Sequence, residues 1–321
     1  MRKALVIGID NYPSSPLSGC VNDATAVSQL LRKNGDGSPN FDVLQKDNIG
    51  TKAELKRMIS ELFGSSVETA LFYFSGHGCK NDVDGYIVTP DYTKDDEGVS
   101  MTEILKIVNN SKALNKIVIL DCCYSGTFGN GALSDKLTEI SDGVTILTAS
   151  MEDQTARESG GHGVFTNLLI EALSGGASNI NGNITPGSIY SYIDQALDAW
   201  EQRPVFKTNT HSFIKVRTIV PPIDLSILRN IIEYFPTSSS VFDLDPSFEC
   251  TNSLEYKHEI VEPYCNKENV RIMKELQQME SVGLVKPVDE EHMYFAAMHS
   301  TGCKLTALGY HYWQLVQKGK I

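Results

Sequence analysis

Two short stretches carry residue types that could do covalent chemistry together. Residues 71–74 are an uninterrupted apolar run, and the chain then reads Ser75, Gly76, His77, Gly78. Residues 117–120 are a second apolar run, which stops at Asp121 and continues Cys122, Cys123, Tyr124, Ser125, Gly126. Short apolar runs of this kind predict strands buried on both faces, as in parallel sheets. In such sheets ligands collect outside the carboxyl ends of the strands. One strand end therefore delivers an imidazole and the other a thiol. A cysteine becomes a nucleophile when a base takes its proton, and histidine is the usual base. The amides of Gly78 and of the nucleophile are placed to hold an oxyanion.

Side chains alternate faces along a strand, so Asp121 and Cys123 share a face and Cys122 points into packing. Cys123 is the expected nucleophile and His77 the expected base. Asp121 then lies on the substrate side, where a carboxylate puts negative charge in the binding pocket. His77, Cys79 and Cys123 could also be taken for zinc ligands, but the close Cys pairs of structural zinc knuckles are missing from the sequence. No metal is expected there.

The paired motifs, Ser75–Gly78 and Asp121–Gly126, resemble those of the caspase–metacaspase family of cysteine peptidases, over roughly residues 2–218. The resemblance implies an α/β fold, a caspase-like, mostly parallel sheet with helices on both faces. It also places the nucleophile two residues after the aspartate, at Cys123. Residues 19–24, containing Asp23, match a metacaspase segment whose aspartate lines the substrate pocket, and Ser75 matches another pocket position. Asp23 also reads as a helix cap. Two carboxylates, Asp23 and Asp121, favour Arg or Lys before the scissile bond. Many metacaspases bind calcium, which here would fall to Asp91, Asp95, Asp96 and Glu97. The matching position after the cysteine is Asn130 rather than Asp, so no cofactor is expected, with calcium as the alternative. Family members often cut themselves in the loop after the cysteine strand, where Lys136 sits between glycines, and autocleavage is expected after Lys136. The family usually works in regulated proteolysis, including bacterial cell-death and antiphage defence.

The elements that position these residues alternate strand and helix. Strands are predicted at 4–9, 41–44, 71–74, 117–120 and 144–148. Helices are predicted from Asn22 or Asp23 to Leu31, after the capping boxes at Thr51 and Ser100, around Phe165–Leu173, and after Thr185 and Pro186. Residues 82–97 read as an acidic loop and 212–216 as an edge strand. Such alternation means crossover connections and a mostly parallel sheet.

The caspase-like peptidase domain is assigned to residues 1–219, followed by a linker at Val220, Pro221 and Pro222. Residues 223–321 are expected to form a second, small α+β domain: a helix over 225–234, a helix over 270–282, a strand from Gly283, its hairpin partner at 293–298, and a last helix over 306–316. That order resembles a winged-helix module, serving regulation or recruitment of a partner or substrate protein through aromatic residues such as Tyr294, Phe295, Tyr310 and Trp313.

The 321 residues carry a net charge of −12. Residues 223–321 hold 9 Lys and Arg against 14 Asp and Glu, a net of −5. Phosphate-driven nucleic-acid binding needs a basic face, so neither DNA, RNA nor an anionic membrane is an expected partner. The apolar run at 4–9 leads straight to Asp10 and reads as a strand rather than a leader. Seven scattered cysteines fit reduced thiols and a cytoplasmic location. The expected activity is that of a cysteine endopeptidase acting on a protein substrate after Arg or Lys. The rival is a winged-helix regulator or adaptor that uses the caspase-like fold as a scaffold.

Overall fold

A computed structural model describes residues 1–82, 84–94, 96–122, 140–149, 158–159, 162–197, 204–211, 214–251, 257–262 and 265–321. The chain divides into two compact units, Met1–Val220 and Pro221–Ile321.

In the first unit the order is β1 (Arg2–Gly8), α1 (Cys20–Arg32), β2 (Asp42–Asp47), α2 (Lys52–Gly64), β3 (Thr69–Ser75), β4 (Gly78–Lys80), β5 (Gly85–Thr93), β6 (Asp96–Ser100), α3 (Met101–Asn109) and β7 (Asn115–Asp121). There follow β8 (Val144–Thr148), β9 (Glu158–Ser159), β10 (His162–Gly163), α4 (Val164–Glu171), β11 (Asn183–Ile184), α5 (Pro186–Ala196), β12 (Val205–Asn209) and β13 (Arg217–Thr218). Six strands form the central sheet in the order β12-β8-β7-β3-β1-β2, with only β12 antiparallel.

Strict alternation along the buried strands sorts the core into two layers. Leu5, Ile7, Phe72, Phe74, Val118 and Leu120 face α2 and α3. Ala4, Val6, Leu71, Tyr73, Ile117 and Ile119 face α1, α4 and α5. This is the doubly covered α/β sheet that the residue pattern predicts.

Local signals behave as their chemistry dictates at several ends. Thr51 and Ser100 accept from the amides of Glu54 and Glu103, and Thr185 and Ser188 form a reciprocal capping box. The start of α1 differs from expectation. Its N-cap is Gly19, without a side-chain cap, and the carboxylate of Asp10 receives the Cys20 and Val21 amides at 2.9 and 3.2 Å. Asp23 is therefore not the cap. It lies inside the first turn, 2% exposed.

Two other expectations are corrected. The acidic stretch 82–97 is not a loop, because β4, β5 and β6 make a small antiparallel sheet. Residues 205–209 register against β8 as an edge strand, while of the stretch expected there residues 214–216 are not in a strand and 212–213 lie outside the described residues.

The second unit holds α6 (Leu225–Arg229), α7 (Ile231–Tyr234), β14 (Val241–Phe242), a 3-10 turn (Pro246–Phe248), α8 (Lys267–Ser281), β15 (Val285–Pro287), α9 (Met293–Met298), β16 (Cys303–Leu305) and α10 (Ala307–Gln317). The helix expected over 225–234 is broken at Asn230, and residues 237–249 contain β14 and the 3-10 turn. Residues 293–298 are helical, not a hairpin strand; the partner of β15 is β16. Met293, Ala296 and Ala297 are buried at helical spacing, which alternation over so short a run could not reveal. Cys250 and Cys265 are joined in a disulfide, so the reduced-thiol expectation fails for this pair. No described helix is long and apolar enough to cross a membrane.

The start of α1 closes onto β1 at Gly8, where a Cβ would lie 2.2 Å from the Cys20 carbonyl oxygen. Gly8→Ala is expected to push the start of α1 off the sheet and destabilise the first unit by roughly 1–3 kcal/mol, read as a lowered denaturation midpoint.

Candidate active site

Parallel register sets Ser75 directly beside Asp121, with Gly8 on the far side of Ser75. Ser75 follows Tyr73 and Asp121 follows Ile119 on the face covered by α1 and α4. Cys122 turns to the other face, 6% exposed, in the layer that contains Leu120 and Phe74. Its thiol is packed as the alternation requires. Cys123, Asn130 and Lys136 lie outside the described residues, as does Asp95.

His77 lies just past the end of β3, partly exposed. Its Nε2 is 2.7 Å from the carbonyl oxygen of Ser15. A carbonyl can only accept, so Nε2 carries the proton, and in the neutral ring Nδ1 keeps the lone pair of a base. The Tyr12 ring packs edge-on against the imidazole, with centroids 4.5 Å apart. The Tyr12 hydroxyl accepts from the His77 amide at 3.0 Å and donates to the Val88 carbonyl at 3.3 Å. Burial pushes that phenol's pKa upward, so it stays a neutral prop.

The Val88 amide donates to the His77 carbonyl at 3.0 Å. In an antiparallel pair, hydrogen-bonded and non-hydrogen-bonded positions alternate. Gly78, paired with Ile87, is thus a non-hydrogen-bonded position, and its amide points away from β5.

The acidic side of the site is assembled from three elements. Ser75 Oγ donates to Asp23 Oδ2 at 3.1 Å, both residues being 2% exposed. Thr166 Oγ1, in the first turn of α4, donates to Asp121 Oδ2 at 2.6 Å. Gly163 caps α4, and a Cβ there would lie 3.0 Å from Asp121 Oδ2 and 3.7 Å from Asp23 Oδ2. The bare backbone of Gly163 therefore stands close against both carboxylates, where a side chain would crowd Asp121. Burial raises the Asp121 pKa to about 6, and the charge of Asp23 pushes the same way, while the Thr166 hydrogen bond opposes them. The Cys20 thiol borders this group and is pushed up to about 12, chiefly by burial.

Three of the four candidate calcium ligands, Asp91, Asp96 and Glu97, lie among the described residues. Both oxygens of Asp91 accept from the Lys52 amide at the start of α2, at 3.1 and 3.2 Å, and Asp96 pairs with the Lys52 ammonium. These two carboxylates serve a helix terminus and a lysine, a donor set that does not fit a calcium cage. Cys79 is half-buried, its thiol pushed up to about 11 by burial and by Glu97. Among the described residues no group of three His, Cys, Asp or Glu is disposed to hold a metal.

Sequence reasoning missed Tyr12, Ser15, Cys20, Gly163 and Thr166. Tyr12, Ser15 and Cys20 sit in or beside the loop after β1, at the same sheet end as the other strand termini, and that placement was the available signal. Thr166 is a lone hydroxyl inside an apolar helical stretch, where a polar side chain must find a partner.

A doubly covered, mostly parallel sheet with a histidine and two carboxylates gathered at adjoining strand ends has the architecture of a caspase-like fold. The Caspase domain family matches residues 1–214, and the chain belongs to it. Metacaspase-1 of Mycosarcoma maydis is 32% identical over 149 residues, covering 39% of this chain and 36% of that protein. Metacaspase-9 of Arabidopsis thaliana is 27% identical over 146 residues, covering 39% of this chain and 43% of that protein. The chain thus spans about two fifths of the length of these relatives. A crystal structure of a Geobacter sulfurreducens protein shares the fold, with a TM-score of 0.50 at 16% identity, over 68% of this chain and 99% of that one.

The raised Asp121 pKa has a cost in stability. From an unfolded value near 3.8 up to about 6, the folded chain binds more protons than the unfolded one. Stability therefore falls as pH rises through that window. Asp121→Asn removes the charge, and is expected to stabilise the chain at pH 7 by as much as about 3 kcal/mol. The gain should vanish below about pH 4, a trend that denaturation at several pH values reads directly.

Proposed function

We propose that this chain is a metacaspase-like cysteine endopeptidase that cleaves protein substrates after Arg or Lys. The observation that supports the reading is the meeting of two carboxylates, Asp23 and Asp121, against the bare backbone of Gly163, on the same side of the sheet as Ser75. Two carboxylates in a partly dry site favour a long cationic side chain, and guanidinium pairs with them best.

In this reading His77 Nδ1 takes the proton of the Cys123 thiol. The thiolate attacks the carbonyl carbon after the basic residue. The oxyanion is received by the Gly78 and Cys123 amides, and the orientation of Gly78 away from β5 supports its part. His77 then protonates the leaving amine, and water releases the acyl group. No step is assigned to a metal. Cut after Lys136 by the same chemistry, the chain would process itself, and a role in regulated proteolysis, including defence, goes with the family.

The second unit we read as a winged-helix-like module that binds a protein. The run of α8 into the β15–β16 pair, with β14 on the other side of β16, supports the architecture. Its charge of −5 opposes phosphate binding. Met298 and Tyr312 are core residues, and Trp313 donates to the Phe235 carbonyl at 2.7 Å, so Tyr310, 43% exposed, is the aromatic most available to a partner.

A panel of peptides varied before the cut tests the enzyme. Cys123→Ala and His77→Ala are each expected to lower kcat/KM by roughly a thousandfold or more, while Cys122→Ala keeps most of it. Asp23→Ala should cost on the order of 3 kcal/mol on Arg and Lys peptides. A preference for Asp or a large apolar residue before the cut overturns the specificity. Mass spectrometry of the same incubations should find chain cut after Lys136.

Removal of residues 221–321 should leave short-peptide cleavage within about threefold and slow cleavage of a folded protein substrate much more. Tight, salt-dependent binding of duplex DNA by the full chain would overturn the protein-binding reading.

A further inference from the structure

Behind the Asp121 carboxylate lies a buried line of hydroxyls. Tyr73 and Thr166 are both 0% exposed. The Tyr73 phenol oxygen is 2.6 Å from Thr166 Oγ1, and Thr166 Oγ1 is 2.6 Å from Asp121 Oδ2. Proton counting fixes the direction. A threonine hydroxyl has one proton, and an ionised carboxylate can only accept, so Thr166 gives its proton to Asp121. The phenol must then donate to Thr166. The line runs one way, from β3 through α4 into the pocket.

The groups that face Asp121 leave this line a specific task. From α1 come Asp23, a like charge, and Cys20, a thiol kept protonated by burial. From β3 come Ser75, whose proton goes to Asp23, and Tyr73, which is held neutral. Burial and Asp23 both favour a protonated Asp121, and the Thr166 hydroxyl and amide are the contacts that favour the anion. A hydrogen bond donated to a carboxylate inside a protein is stronger than one between neutral groups, and a donor that is itself receiving one is polarised further.

We propose that Thr166, backed by Tyr73, is a positioning residue that keeps Asp121 ionised and fixed beside Asp23 and Gly163, and so sets how strongly the pair of carboxylates selects a cationic side chain. The proposal rests on the cationic-pocket reading above. It assigns specificity to two residues that touch no substrate. Both belong to the packed layer between sheet and helices, where each would otherwise pass for a core residue.

The test uses the full chain and p-aminobenzamidine, an amidinium probe, titrated by fluorescence from pH 5 to 8, together with kinetics on an Arg peptide. In the wild-type chain, affinity should rise with pH about a midpoint near 6, where Asp121 ionises. Thr166→Val keeps the shape and removes the hydroxyl. Its midpoint should move up by about one pH unit, a tenfold change in proton affinity, with KM for the Arg peptide raised near pH 6.5 and kcat at saturation little changed. Thr166→Ser should restore the wild-type midpoint. Tyr73→Phe should move it in the same direction by less. A purely structural role would lower the amount of active protein without moving the midpoint.

An unchanged midpoint in Tyr73→Phe and in whichever Thr166→Val protein folds overturns the relay alone. A Thr166→Ser chain that behaves like Thr166→Val overturns it as well. A wild-type chain that binds no p-aminobenzamidine and cuts after a non-basic residue overturns the pocket reading, and the relay falls with it.

Discussion

Two carboxylates held near one another out of water repel, and each loses hydration as well. The carboxyl-terminal edge of the central sheet is built around keeping Asp23 and Asp121 in that relation. Each receives a hydroxyl donor from a different element, Ser75 on β3 and Thr166 on α4. The Ser75–Asp121 register, the approach of α1 onto Gly8 and the bare Gly163 all serve the same local arrangement. The strain shows in the raised pKa of Asp121. Two carboxylates held in this way are less stable than a neutral pair, and on the function proposed above that penalty goes with attracting a cation.

The histidine side obeys a different logic. His77 leaves the parallel sheet and enters the small antiparallel sheet, where its carbonyl is taken by Val88. That one bond decides the alternation that follows, and with it the direction of the Gly78 amide. The imidazole is set between the Ser15 carbonyl and the Tyr12 ring, so both its tautomer and its tilt are held by the loop after β1. The adjacent residues to which the proposed mechanism gives the base and the oxyanion donor are thus oriented by contacts with Ser15, Tyr12 and Val88, none of which involves Asp23 or Asp121.

The second unit is small and depends on a methionine-rich core, in which Met273, Met279, Met293 and Met298 are all buried. Methionine fills irregular gaps without demanding a single packing. The Cys250–Cys265 link closes a 15-residue loop in this unit. A loop of that length contributes about 3 kcal/mol in the chain-entropy view, a useful addition for a unit that buries little surface.

The sequence by itself determined the doubly wound sheet, because runs such as 71–74 and 117–120 are too apolar to be anything but strands covered on both faces. It also determined the place of His77 at a strand end and the burial of Cys122, since strand alternation is a covalent property of the chain, whereas the register of β3 against β7 is what set Ser75 beside Asp121. The helix starts at Thr51, Ser100 and Thr185 were legible because their partners lie three residues away. Contacts that reach across the chain were not. Asp10 caps a helix ten residues later, Thr166 meets a carboxylate 45 residues earlier, and Ser15 orients a histidine 62 residues on. Residues 82–97 and 293–298 were misread for a related reason. Short, polar or methionine-rich segments lack a period long enough to separate strand from helix or loop, and only the neighbours against which they pack decided what they became.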